Sequence, residues 1–144
     1  MEAGEDRLQA EAYQWFHNTY PELRGLLNYN LNNVTPILPS DARAILKKFG
    51  ILERVFGMIK KAAGYFGMVA KAMGLQAGRS DMVLYLKGKA FMIEWKTPKG
   101  KQQGKQKDWQ ELIEKQGFSY FIVRSLDEFK TLIQTLCSSY QQKH

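Results

Sequence analysis

Two acids and a lysine in the middle of the chain, Asp81, Glu94 and Lys96, carry its most specific chemistry. Around them, Met82 to Leu86 and Ala90 to Trp95 read as two strands joined at Lys87-Gly88-Lys89. With a two-residue turn at Lys87-Gly88, Asp81 lies opposite Glu94, Val83 opposite Met92 and Tyr85 opposite Ala90. Alternation then sends Asp81, Glu94 and Lys96 to one face and Met82, Leu84, Leu86, Phe91, Ile93 and Trp95 to the other. A four-residue turn sorts them the same way, because only parity matters. Like charges set opposite each other destabilise a sheet, so a counter-charge is required. Lys96 supplies one, and a divalent cation bridging both acids supplies a better one. Mg2+ takes one or two carboxylates and completes its shell with water and phosphate oxygens. A lysine beside it could orient a water for attack on phosphorus or stabilise the charge that develops. The plain alternative is an ion pair at the end of a sheet.

Composition removes most other chemistries. A single cysteine, Cys137, leaves no internal disulfide and no Cys-cluster zinc site. His17 and His144 are the only histidines, so neither a His-based metal centre nor a Ser-His-Asp triad is expected. Any metal must be a hard one, held by oxygen. With 144 residues, 44% of them apolar, the chain has the material for one packed domain, expected over residues 1–137 with a polar tail at 138–144. The acidic N-terminus argues against a targeting peptide, and no run of 18 uncharged apolar residues exists. A soluble, cytoplasmic protein is expected.

Charge is uneven. Residues 34–107 hold fifteen basic and four acidic residues, whereas the flanking segments are net acidic. Such a surplus suits a polyanion, nucleic acid first. Lys96, Lys99, Lys101, Lys105 and Lys107 fall within twelve residues, with Gly100 and Gly104 between them. Lysines at a helix N-terminus oppose its dipole, so an anionic partner such as DNA phosphate is the natural compensation.

The elements that must position these groups follow from periodicity and breakers. Glu5 to Thr19 reads as a helix, with Leu8, Ala12, Trp15 and Phe16 at helical spacing. Gly25 to Asn30 is a short strand, followed by a polar loop through Asn32 and Asn33. Helices are expected from Ser40 or Asp41 to Phe49, over Ile51 to Met73 and over Gln103 to Gln116. Phe118 to Val123 is a buried strand, Leu126 to Leu136 a last amphipathic helix, and the tail beyond it frayed. This order describes an α/β or α+β domain with a mixed sheet. In Ile51–Met73 the charges Glu53, Arg54, Lys60, Lys61 and Lys71 share one stripe, and nearly two-thirds of the circumference is apolar. Such a helix is sunk in the core, lies in a subunit interface or rests on a membrane surface.

Taken together, Gly74-Leu-Gln-Ala-Gly-Arg-Ser-Asp81, Glu94-Trp-Lys96-Thr-Pro-Lys-Gly100, Gln106-Lys-Asp-Trp109 and the strand Phe118 to Val123 resemble the virus-type replication-repair nuclease (VRR-NUC) family of the PD-(D/E)XK nucleases. The resemblance implies a restriction-endonuclease-like core, with Asp81, Glu94 and the backbone carbonyl of Trp95 as ligands of Mg2+ or Mn2+ and Lys96 as the catalytic lysine. Gln106 falls on the family's motif glutamine. A glutamate of the first helix is a further ligand there. Glu2, Glu5 and Glu11 compete for that role, and Glu5 lies nearest the apolar face on a helical wheel. Lys99, Lys101, Lys105, Lys107 and Arg79 would grip phosphates. Three departures stand out. Ser80 replaces the usual proline, Trp95 is large for its place in Glu-x-Lys, and a segment at about 36–73 is unusually long and apolar.

The implied activity is metal-dependent hydrolysis of DNA phosphodiesters, on branched DNA such as a Holliday junction and in a phage or prophage setting. A two-fold homodimer, with residues 42–73 forming much of its interface, suits the apolar helix. The rival readings are a non-catalytic DNA-binding module of the same fold and an RNA-directed nuclease.

Overall fold

The computed structural model describes residues 4–30 and 38–141. The chain forms two compact units, Met1–Asn30 with Ala77–His144, and Leu31–Gln76. The first contains α1 (Glu5–Thr19), β1 (Leu27–Tyr29), β2 (Met82–Leu86), β3 (Lys89–Trp95), α4 (Gly104–Lys115), β4 (Ser119–Val123) and α5 (Leu126–Gln141). The second contains α2 (Ser40–Lys48) and α3 (Leu52–Ala72). The expected loop through Asn32 and Asn33 lies outside the described residues.

The sheet has the order β1-β2-β3-β4, with β1/β2 and β2/β3 antiparallel and β3/β4 parallel. Its hairpin has the register that the sequence implies, Val83 opposite Met92 and Tyr85 opposite Ala90. The turn sets this. Lys87 (φ 45°) and Gly88 (φ 75°) are both left-handed, as a two-residue turn matched to strand twist requires. One face packs Leu27, Met82, Leu84, Phe91, Ile93 and Trp95 against Ala12 and Phe16 of α1 and Phe129 and Ile133 of α5. Each of these large apolar side chains contributes roughly 1.5–3 kcal/mol by leaving water. Trp95 is fully buried there and stacks on Phe129 at 5.4 Å, which answers how so large a residue fits between Glu94 and Lys96. The opposite face is covered by α4, where Trp109 and Ile113 pack on Val83, Met92 and Tyr120.

One expectation needs correction. Residues 138–141, expected in a frayed tail, continue α5, whose helix runs to Gln141. Hydrogen bonding propagates a helix beyond its last core contact at little cost. Within their own unit, α2 and α3 bury no residue against each other. Ile45, Phe49, Met58, Tyr65, Phe66, Met68 and Met73 are all exposed. A two-helix hairpin has too little surface to cover an apolar arc this wide.

Candidate active site

The site lies where β2 begins and β3 ends. Glu94, next to last in β3, is 0% exposed. Burying a carboxylate costs on the order of several kcal/mol unless charge and hydrogen bonds compensate. Lys96 Nζ donates to its Oε1 at 2.6 Å, and Gln106 Nε2 donates to the same oxygen. The Tyr120 hydroxyl donates to Oε2 at 3.3 Å. Compensation is incomplete. Burial, against the opposing Lys96 bond and with the added charge of Asp81, holds the Glu94 carboxyl above its ordinary range. Burial and the Glu94 charge also push the Tyr120 phenol far above its usual range, so it remains a donor.

Asp81 approaches from the start of β2, and its Oδ2 accepts the backbone N–H of Trp95 at 2.8 Å. That N–H would otherwise bond to the next carbonyl of a continuing β2. Asn30, which sequence reasoning passed over, fixes the segment before Asp81. Its backbone N–H donates to the Asp81 carbonyl at 2.7 Å and its amide to the Ser80 carbonyl at 2.9 Å. Ser80, in the usual place of proline, is fully buried and donates from its hydroxyl to the Met82 carbonyl. Arg79, expected on phosphates, directs its guanidinium to Asn30 Oδ1 at 3.1 Å.

Gly78 explains the glycine in this motif. At φ +83°, a Cβ built there would sit 2.3 Å from the Lys105 carbonyl oxygen and 2.9 Å from the Gln106 nitrogen. The loop before Asp81 therefore touches the first turn of α4 backbone to backbone. That contact sets Gln106, whose Oε1 accepts the Gln103 backbone N–H at 2.9 Å while its Nε2 serves Glu94.

Glu5 stands at the N-terminus of α1, and its carboxylate accepts the Thr97 backbone N–H at 3.0 Å, one residue beyond Lys96. Glu11 pairs instead with Arg7 on the exposed side of α1, and Glu2 is outside the described residues. Among the described residues, no three His, Cys, Asp or Glu side chains converge closely enough to hold one cation. Asp81 and Glu94 stand opposite each other at the open end of the hairpin, and Glu5 is tied to the adjoining loop. Lys99, Lys101, Lys105 and Lys107 are exposed. The turn carrying Lys99 is held by Arg124, which donates to the carbonyls of Thr97 and Gly100, each at 2.7 Å. Neither Arg124 nor Tyr120 carries a signal in the sequence. Both act through a parallel register that no turn specifies.

A mixed sheet between helical layers, with two acids and a lysine at the end of its hairpin, defines a nuclease-type domain. The model of the VRR-NUC domain matches residues 5–127, and the chain belongs to that family of nucleases. A solved structure described as a VRR_NUC domain protein shares the fold at a TM-score of 0.61 and 17% identity, over 94% of this chain and 88% of that one. Among curated proteins nothing matches. No helix of the described residues is long and apolar enough to cross a membrane.

Proposed function

We propose that this chain is a Mg2+- or Mn2+-dependent endonuclease that hydrolyses phosphodiester bonds of branched, junction-like DNA as a homodimer in the cytoplasm of a phage-bearing cell. The observation that carries the reading is Glu94: a fully buried carboxylate, held above its ordinary range, beside Asp81 and Lys96 at one sheet end. Stability does not explain such a group, since well-packed apolar residues serve a core as well or better.

Asp81, Glu94 and the Trp95 carbonyl offer only oxygen donors, and the two acids face each other across the hairpin. This set fits a small hard cation completed by water and phosphate oxygens, with Glu5 available from α1. When bound, the ion lowers the pKa of water and withdraws charge from the phosphate. Gln106 and Tyr120 keep the Glu94 carboxylate in one orientation. Lys96 neutralises Glu94 and places an ammonium where charge develops on phosphorus oxygens. The exposed lysines after β3 hold the flanking phosphates without reading sequence.

The apolar side chains left exposed on α2 and α3 support the dimer, because a symmetric partner covers such a patch with its own copy. The deciding assay incubates the protein with labelled duplex, flap, four-way junction DNA and matched RNA, with and without Mg2+. Metal-dependent cleavage of the branched DNA is expected. Binding without cleavage would overturn the reading in favour of a non-catalytic module.

A further inference from the structure

On the other face of the same sheet end, Asp6, Gln9, Ala10, Tyr13, Tyr29 and Met82 line a cavity of about 320 Å³. Gln9 forms part of its wall and is only 8% exposed. Its side-chain amide offers a donor and an acceptor side by side. The two tyrosines are 40% and 54% exposed, so each presents ring surface to a ligand. Asp6, Gln9 and Tyr13 follow one another at the three- and four-residue spacing that aligns side chains on a helix.

We infer that this cavity binds one unpaired nucleobase beside the scissile phosphate, an inference that rests on the nuclease reading of the neighbouring carboxylates. Chemistry selects the base over other parts of a nucleotide. Tyrosine rings stack on bases of any identity. The Gln9 amide complements the paired donor and acceptor of a base edge, and Asp6 accepts from an exocyclic amino group. The Asp6 charge also repels phosphate, so the backbone must stay outside. Position selects the nucleotide. Asp6 follows Glu5 on α1, and Met82, paired with Tyr29, follows Asp81 on β2. Met82 faces the α1 layer, however, while Asp81 faces the other way, so a base reaches the cavity only by passing round the end of the sheet. A base held in a duplex cannot do this. The substrate therefore carries an unpaired or unpairing nucleotide at the cleavage point, as flaps and branch points do.

An abasic scan tests the inference. Flap and junction DNA carrying one abasic site at successive positions are titrated with the protein in Ca2+, and the same DNAs are incubated in Mg2+ to read cleavage. For the wild type, affinity should fall about fivefold or more at one or two positions next to the cut and nowhere else. The double variant Tyr13→Leu/Tyr29→Leu should bind intact branched DNA more weakly by the same factor and be indifferent to the abasic site, while binding uninterrupted duplex as before. Tyr13→Phe/Tyr29→Phe, which keeps both rings, should restore the wild-type scan. Gln9→Leu, of similar volume, should retain the abasic effect and lose preference among the four bases at that position. A flat scan in the wild type, or an unaltered scan in a folded double variant, overturns the pocket. The wild-type scan decides the matter even if the double variant does not fold. A flat scan with Mg2+-dependent cleavage removes the pocket and leaves the nuclease. A localised scan without cleavage does the reverse.

Discussion

Replacing Asp81 by Asn, Glu94 by Gln or Lys96 by Ala is expected to reduce cleavage at least about a hundredfold while leaving junction binding in Ca2+ largely intact. In the proposed function these groups serve the reacting phosphate, whereas the exposed lysines supply affinity. Cleavage retained by a folded Glu94→Gln protein would remove Glu94 from the mechanism. The same residue makes a pH prediction. Burial makes Glu94 bind its proton more tightly in the folded protein than in the unfolded chain. Its contribution to stability is therefore full below the unfolded-state pKa and is lost as pH rises through the folded-state value. In metal-free buffer, the wild type should gain stability relative to Glu94→Gln as pH falls from about 8 toward about 5. Urea midpoints measured for both proteins across that range give the sign directly.

At the scale of elements, the backbone contact between Gly78 and the first turn of α4 couples two motifs that lie 27 positions apart at Lys105. Gly78→Ala places a methyl group against the Lys105 carbonyl and in a left-handed conformation, so α4 must shift. A loss of about 1–3 kcal/mol in stability is expected, with a larger drop in kcat than in DNA affinity, because Gln106 moves off Glu94. Denaturant unfolding and single-turnover cleavage separate the two effects. The loop after β3 is tested by electrostatics. Changing Lys99, Lys101 and Lys105 together to Ala should lower the log–log salt slope of duplex binding by about 2.7 units, at roughly 0.9 per phosphate contact. An unchanged slope would make these lysines a solvated surface.

For the whole molecule, the question is what covers the α2–α3 unit. Phe66 is 63% exposed and sits among Met58, Tyr65 and Met68, also exposed, on one helix. Size exclusion with light scattering should report about 33 kDa, twice the 16.6 kDa of one chain. Phe66→Glu should yield a folded protein of half that mass with impaired junction cleavage, because it buries a charge only in the assembly. A wild-type monomer at micromolar concentration, free and on junction DNA, would refute the dimer.

Local rules determined much of this protein from its sequence alone. The turn residues Lys87 and Gly88 set the hairpin register, and strict alternation along β2 and β3 then put Asp81, Glu94 and Lys96 on one face, before any contact was known. The span of α1 and the apolar face carried by Leu8, Ala12 and Phe16 followed from helical periodicity in the same way. Only the tertiary structure decided which groups meet those acids. Tyr120 reaches Glu94, and Arg124 reaches the loop of Lys99, through the parallel pairing of β3 with β4, whose register depends on a crossover helix and not on a turn. Asn30 reaches Ser80 across 50 positions, and Gly78 is needed only because α4 folds back against it. Gln9, a polar residue of α1, is buried beside Tyr29 of β1 and Met82 of β2. Periodicity reports which way a side chain points relative to its own element, and long-range packing alone determines what it finds there.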